Sequence, residues 1–192
     1  MAIRRIAVTG GPGAGKTTLW RELSQRHAGR VVPVPEVATL MFRHVFPQVH
    51  GEAERHAVQR AIFHVQRELE CVHEGRSARD QILLCDRGTV DGGGYWPQGH
   101  QAFFEAMATC WEDELARYDA VLFLETAAQG GLAIDAGNAV RTEDLATAVS
   151  IDGRLRDVWA CHPRFLHVPH AVQFADKLRA GHAAFAKLLA GD

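Results

Sequence analysis

The strongest constraint on this chain is a glycine-rich segment placed between two short runs of different periodicity. Residues 3–8, before the segment, are rich in β-branched side chains, which favours a buried strand. After it, Leu19, Trp20 and Leu23 recur at helical spacing, and Gly29 marks the end of that helix. The segment itself reads GGPGAGKT and fits the pattern G-x-x-x-x-G-K-[ST]. This order of strand, loop and helix predicts a phosphate-binding loop.

The residue types of this loop suit a nucleotide and a metal ion. Residues without a Cβ let successive backbone N–H groups turn toward one cluster of phosphate oxygens, and the start of the helix adds a favourable dipole. Lys16 is expected to bind the β- and γ-phosphates of ATP, and Thr17 to hold Mg²⁺ through its hydroxyl. The alternative is a glycine-rich turn with an exposed lysine. The predicted nucleotide-binding residues are Gly10, Gly11, Pro12, Gly13, Ala14, Gly15, Lys16, Thr17 and Thr18.

The rest of the chain alternates between short apolar runs and amphipathic segments. Further strands are predicted at 31–34, 82–85, 120–124 and 165–168. Helices are predicted at 38–46, 52–75 and 103–115, from near residue 142, and at 171–189. The pattern predicts an α/β fold, a three-layer sandwich in which helices cover both faces of a doubly wound, five-stranded parallel sheet.

Length and composition limit the classes of protein. A chain of 192 residues with 47% hydrophobic and 23% charged residues is expected to form a single domain, 1–192, with a lid segment at about 126–160. The formal net charge of −2 provides no general positive field, so no nucleic acid partner is expected. No apolar run is long enough for a membrane span, and the first residues lead into a strand rather than a signal peptide, which predicts a cytoplasmic protein.

The cysteines indicate thiols rather than a metal site. Cys71, Cys85, Cys110 and Cys161 show no CxxC spacing, so reduced thiols in the protein core are the preferred interpretation. A zinc site would require Cys71, Cys161 and their histidine neighbours to meet, and their spacing does not demand it.

Acidic and basic residues follow the third predicted strand. Ligands of parallel sheets bind beyond the carboxyl ends of the strands, so Asp86 is expected beside the glycine-rich loop, where it would hold Mg²⁺ directly or through water. Arg87 would stabilise a transferring phosphoryl group, and Asp91 would contact a substrate hydroxyl or ammonium group. In the alternative, Asp86 caps a turn while Arg87 and Asp91 pair with each other at the surface.

Two glutamates also follow predicted strands. Glu36 comes after the second strand and Glu125 after the fourth, so both should lie at the same edge of the sheet. A carboxylate there can bind a hydroxyl acceptor or take its proton, and Glu36 is our candidate for that role. For Glu125, stabilisation of a helix start is the preferred interpretation.

Aromatic and basic side chains complete the set of candidates. Tyr95 and Trp96 follow three glycines and would stack on a flat substrate ring, unless they fold back onto the core. Arg141 lies between an aperiodic stretch, 126–137, and the helix that follows. Closure of this segment would bring its guanidinium onto the phosphates. Arg154 and Arg156 lie further along that helix, and a solvated face is preferred for at least one of them.

Taken together, these motifs resemble the NadR-like AAA-domain family of small P-loop ATPase and kinase proteins. The resemblance rests on TGGPGAGKTT, VPEVA, DRGTVD followed by YW, NAVRTE and VP, at residues 9–18, 34–38, 86–91 with 95–96, 138–143 and 168–169. It spans nearly the whole chain and implies a P-loop NTPase fold like that of the nucleotide kinases. The family resemblance further implies ATP on the glycine-rich loop, an acid near Mg²⁺ and an arginine-bearing helical lid. No NKxD segment for guanine is present.

Two functions are compatible with these residues. The first is a Mg²⁺- and ATP-dependent kinase acting on a small nucleoside-like hydroxyl acceptor, in which Lys16, Asp86, Arg87, Arg141 and Glu36 carry the chemistry. Glu36, Asp91, Tyr95 and Trp96 would bind the acceptor. The alternative is a nucleotide-binding regulatory switch, a slow ATPase or GTPase that acts through a protein or lipid partner.

Overall fold

The computed structural model describes residues 5–130 and 145–190 and contains one five-stranded parallel sheet. The strands lie in the order β2-β3-β1-β4-β5. Each pairs in parallel with its neighbours; for example, Val8 lies opposite Asp86 and Leu122. The strands are β1 Arg5–Thr9, β2 Val31–Val34, β3 Ile82–Asp86, β4 Ala120–Leu124 and β5 Phe165–Val168.

Helices connect the strands and cover the two faces of the sheet. They are α1 Lys16–Arg26, α2 Val37–His44, α3 Glu52–Arg76, α4 Asp91–Tyr95, α5 His100–Ala106, α6 Trp111–Ala116, α7 Leu145–Trp159 and α8 Phe174–Ala190, and a 3₁₀ turn covers Ala127–Gly130. The predicted fold class, an α/β sandwich around a doubly wound parallel sheet, is confirmed.

Alternate residues of the strands pack into different helical layers. Ile6, Val8 and Leu84 face one layer, in which α1 and α8 contribute Leu19 and Phe185. On the opposite face, the core contains Leu83, Cys85 and Val121 together with Phe63, Phe103 and Trp159 from α3, α5 and α7. Because both faces are buried, the interior positions of β1, β3 and β4 are apolar, as the sequence predicted, and polar residues stand only at strand ends.

The prediction of one helix over residues 103–115 was wrong. The structure has two helices there, α5 and α6, and Ala108 between them takes a left-handed backbone conformation with φ of 54°. Helix α4 was not predicted, because its sequence, DGGGY, contains three glycines and glycine disfavours helix interiors. Gly92 and Gly94 are needed there because an added Cβ would lie 2.2 Å from the Phe103 ring and 2.7 Å from the Leu155 side chain, respectively.

The structure also bears on the expectations for the cysteines, a metal site and a membrane span. Cys85 is buried, whereas Cys71, Cys110 and Cys161 are exposed, so the expectation of core thiols holds for Cys85 alone. No cluster of three or more potential metal-ligating His, Cys, Asp or Glu side chains occurs within residues 5–130 and 145–190. None of the helices in these ranges is long and apolar enough to cross a membrane.

Candidate active site

The glycine-rich loop follows β1, the central strand, and leads into α1. Strands β3 and β4 lie on either side of β1, so the loop opens at the point where the chain connections diverge, which is where open α/β sheets bind ligands. Gly10 turns the chain directly against β4: its φ is 135°, and an added Cβ would lie 1.9 Å from the Leu124 carbonyl oxygen. Only glycine fits at this position.

The loop presents a group of unpaired backbone donors. The N–H groups of Gly13, Gly15, Thr17 and Thr18 donate to no carbonyl oxygen in the described part of the chain. Lys16 is 3% exposed, and its Nζ donates to the Gly11 carbonyl at 2.6 Å, which keeps the ammonium group against the loop. Backbone N–H groups at a helix start, together with a fixed cation, form an anion-binding site suited to phosphate.

Thr17 and Asp86 meet beside this loop. The Thr17 hydroxyl donates to Asp86 Oδ2 at 2.9 Å, whereas Asp86 Oδ1 is buried and has no hydrogen-bond partner among the described residues. Burial and the neighbouring Glu36 carboxylate raise the pKa of Asp86 to about 6, while Lys16 and Arg87 act in the opposite direction. A buried carboxylate oxygen without a partner, next to a hydroxyl, suits a hard divalent cation. These two residues therefore fit such a metal.

Arg87 links the end of β3 to the end of β2. Its Nε lies 2.5 Å from Glu36 Oε1, and its Nη1 lies 2.7 Å from Asp91 Oδ2. Burial alone would lower the pKa of Arg87, but Tyr95, Glu36 and Asp91 outweigh it and raise the pKa well above its usual value. Arg87 also has φ of 76°, a strained conformation for a residue other than glycine. Such strain is typical of functional positions, where the surroundings hold the residue in place.

Asp91 binds protein groups and also lines the cavity that adjoins Glu36 and Arg87. Besides Arg87, it accepts hydrogen bonds at Oδ1 from the Thr9 hydroxyl and the Trp159 indole, each at 2.8 Å. The pairing of Arg87 with Asp91 is therefore present, but it is buried and not at the surface, and Asp91 holds Arg87 in position. Contact between Asp91 and a substrate stays a prediction, since Asp91 lines the cavity as well as holding Arg87.

A cavity of about 760 Å³ adjoins Glu36 and Arg87, and we call it the α3 cavity because α3 forms much of its wall. Helix α2 and the segment after it contribute apolar groups, including Phe42 and Val49. Glu36 lines the cavity, and its second carboxylate oxygen accepts a hydrogen bond from the Thr39 hydroxyl at 2.6 Å. The volume is in the range of small-molecule binding sites, and the lining combines apolar and polar groups as such sites do.

The two predicted stacking residues occupy different environments. Tyr95 is half-buried, lines the α3 cavity and lies under the Arg87 guanidinium at 5.5 Å from the ring centre. Trp96 is 4% exposed and packs in the core between His56 and Phe103. This packing corrects the prediction for Trp96, whose ring has no open face for a substrate, and leaves Tyr95 as the candidate.

The remaining predicted residues lie away from this centre or outside the described ranges. Arg141 lies outside the described residues, as does much of the predicted lid, 126–160. The described part of that lid includes α7, which is packed into the core through Ile151, Leu155 and Trp159. Arg154 and Arg156 are both exposed on this helix.

Glu125 does not support a helix start. Its Oε2 accepts a hydrogen bond from the His170 backbone N–H at 2.8 Å, and Lys177 donates to its carbonyl oxygen. The glutamate thus connects the end of β4 to the segment that follows β5. This placement differs from the preferred interpretation at the sequence level.

Two polar residues beside the site, Asp152 and Gln66, were not identified from the sequence. Asp152 on α7 is 1% exposed, and its Oδ1 accepts hydrogen bonds from the N–H groups of Gly11 and Thr126 at 2.8 and 2.9 Å, so it fixes the first half of the loop. Gln66 on α3 lines the α3 cavity and donates to the buried Glu70. Both residues are polar and lie on the apolar face of an amphipathic helix, and this position in the pattern could have identified them from the sequence.

Comparison with known families places these features in context. Residues 5–177 match the sequence profile of an AAA domain family, a range that contains the loop, Asp86, Glu36 and the α3 cavity. No curated protein sequence matches the chain. The match and the loop geometry indicate that the protein binds a nucleotide together with a divalent metal ion. Proteins with such a domain in general hydrolyse the nucleotide or transfer its phosphoryl group. The chain therefore belongs to the AAA domain family of P-loop nucleotide-binding proteins.

Proposed function

We propose that the protein is a Mg²⁺- and ATP-dependent kinase that phosphorylates a hydroxyl group of a small, nucleoside-like acceptor. The observation that carries this proposal is the α3 cavity, which is lined by Glu36, Arg87 and Asp91. Asp91 accepts a hydrogen bond from the hydroxyl of Thr9, the residue directly before the phosphate-binding loop. A protein that only hydrolyses or senses a nucleotide needs no second cavity at this place. A kinase does, because the acceptor must be held in line with the transferred phosphoryl group.

Each polar group near the loop has a role in this reaction. Lys16 and the loop N–H groups bind the phosphates, and Thr17 and Asp86 hold the metal ion, which neutralises charge on the phosphate oxygens when bound. Glu36 orients the acceptor hydroxyl and accepts its proton. Arg87 donates from Nε and Nη1 to carboxylates, and its Nη2 makes no hydrogen bond within the described residues, so it is available to an oxygen of the acceptor or the phosphoryl group.

The test is ADP release from Mg²⁺–ATP by the purified protein, alone and with pooled nucleosides that include nicotinamide riboside, and with pooled small alcohols. Stimulation by one pool, with a phosphorylated product of the matching mass, is the expected result. Lys16→Ala abolishes the stimulated rate if the product arises at this loop. A slow rate that no pool changes would overturn the kinase proposal and favour a nucleotide switch acting through a partner.

A further inference from the structure

Gln66 lies on the wall of the α3 cavity with its side-chain amide held in one orientation. The residue is 3% exposed, and its Nε2 donates to Glu70 Oε1 at 2.8 Å. A carboxylate can only accept hydrogen bonds, so the NH₂ group of the amide must face Glu70 and the carbonyl oxygen must face away from it. The hydrogen-bond network therefore assigns the amide orientation.

Glu70 cannot turn away to release this amide. It is fully buried; its Oε2 lies 2.8 Å from Arg117 Nη2 and 3.4 Å from Arg5 Nη1. Its Oε1 also accepts a hydrogen bond from the Tyr118 hydroxyl at 2.7 Å. With two guanidinium groups and a hydroxyl on it, the carboxylate is fixed by several independent contacts, and the Gln66 amide is fixed with it.

The Gln66 carbonyl oxygen is left as an acceptor for a ligand. It takes no hydrogen bond from the described residues, and it is not among the fully buried atoms without a partner. Since Gln66 lines the cavity, the accessible surface of this oxygen faces the cavity space. The neighbouring lining groups include the half-buried ring of Tyr95, which suits a flat ligand.

We propose that Gln66 selects acceptors whose ring carries an exocyclic amino or carboxamide group over acceptors with a carbonyl or carboxylate oxygen at the same place. This inference rests on the proposed function, because it takes the acceptor to be a nucleoside-like heterocycle bound in the α3 cavity. An oxygen placed against the Gln66 oxygen would leave two buried acceptors unpaired and repelling each other. A site built in this way discriminates by rejection as well as by attraction.

The test uses three pairs of nucleosides in which an exocyclic amino or carboxamide group is replaced by a carbonyl or carboxylate: adenosine and inosine, cytidine and uridine, and the ribosides of nicotinamide and nicotinic acid. In the first two pairs the adjacent ring nitrogen also changes from an acceptor to an N–H donor, so the third pair isolates the exocyclic group. Binding is measured by calorimetry in the presence of a non-hydrolysable ATP analogue and Mg²⁺, and kcat/KM is measured with ATP. The amino or amide member of at least one pair is expected to bind about tenfold tighter or more, because the rejected partner leaves buried acceptors unpaired.

Two variants with matched chemistry identify the residue responsible. Gln66→Met keeps the length of the side chain but removes the acceptor, so the ratio within each pair should fall to about one, through weaker binding of the preferred member and tighter binding of the rejected one. Gln59→Met is the control, because the Gln59 amide also lines the cavity but has no hydrogen-bond partner in the described chain to fix its orientation. It should weaken both members equally. If Gln66→Met does not fold, Gln66→Asn is used instead, because its shorter side chain moves the amide oxygen away from the cavity.

The possible outcomes separate this inference from the kinase proposal. A binding ratio that disappears in Gln66→Met supports the inference even if no phosphoryl transfer is detected, and the kinase proposal alone then fails. Transfer with equal kcat/KM for both members of each pair overturns the inference alone. A ratio that favours the carbonyl member, a ratio that persists in Gln66→Met, or no binding of any nucleoside also overturns the inference.

Discussion

The phosphate-binding loop and the α3 cavity present different atoms to a ligand. The loop offers backbone N–H groups, and its shape depends on the backbone angles of glycines such as Gly10 and Gly15, with φ of 135° and 84°. The α3 cavity offers side chains from α2, α3 and α4, which meet only after the helices have packed. Changes to the loop should therefore act on phosphate binding in general, whereas changes to the cavity should act on which acceptor is used.

The largest effect is expected at the cation of the loop. Lys16→Ala should lower kcat by about 10²–10³-fold, because it removes a fixed positive charge from the transferring phosphoryl group. The measurement is the initial rate of ADP formation. Lys187→Ala, an exposed lysine on α8, is the matched control and should leave the rate unchanged. A rate in Lys16→Ala close to that of the control would refute the assignment of the loop.

A second variant tests the backbone conformation of the loop independently of the Lys16 charge. Gly10→Ala should lower the free energy of unfolding by about 3 kcal/mol or more, since an added Cβ would lie 1.9 Å from the Leu124 carbonyl oxygen. Gly29→Ala is the control, because Gly29 also has a positive φ, of 91°, but an added Cβ would meet nothing within 4 Å. Denaturant unfolding measures both, and equal losses would contradict the requirement for glycine at position 10.

The cavity side of the comparison is tested at Glu36. Glu36→Gln should lower kcat by about 10²-fold, because the amide cannot accept the proton of the acceptor hydroxyl. The affinity for ATP should stay within about twofold of the original value, since the loop donors are untouched. Glu112→Gln, exposed on α6, serves as the control. If ATP affinity and kcat fall together, Glu36 belongs functionally to the loop and the division between the two regions is wrong.

The smallest effect is a pH dependence that arises at Lys177, behind the loop. Burial lowers the pKa of Lys177 from 10.5 to about 8, although Asp152 and Glu125 act in the opposite direction. Between these two pH values the unfolded chain binds one proton more than the folded chain, so stability rises with pH in this window. Relative to Lys177→Met, the original protein should gain about 1–2 kcal/mol between pH 7.5 and 10. A constant difference in the denaturant unfolding free energy would contradict this prediction.

The loop and the sheet could be predicted because their signals are local in the chain. The apolar strand over 120–124, the helix after Gly15 and the position of Asp86 at the end of β3 follow from periodicity and motif spacing. Parallel strands bring their carboxyl ends to one edge, so the proximity of Asp86 to Thr17 also follows from topology alone. For these residues, both the residue type and its place in the fold can be predicted from the sequence.

The side-chain arrangement of the cavity could not be predicted in the same way. Whether Tyr95 or Trp96 faces the cavity depends on the turn of α4, whose glycines gave no helical signal. The orientation of the Gln66 amide depends on Glu70, which depends in turn on Arg5 and Arg117 from distant parts of the chain. Contacts between residues so far apart in the chain produce no regular spacing that a single sequence would reveal.

The hydrogen bond between Trp159 and Asp91 gives the protein an internal optical probe. The Trp159 indole is fully buried and donates to Asp91 Oδ1, and Asp91 holds Arg87 at the wall of the α3 cavity. A change in the Asp91 carboxylate or in its pairing with Arg87 alters the electric field at the indole, to which tryptophan emission is sensitive. A change in intrinsic fluorescence is therefore expected when a ligand occupies the cavity, with Trp159 as one of the four tryptophans that emit.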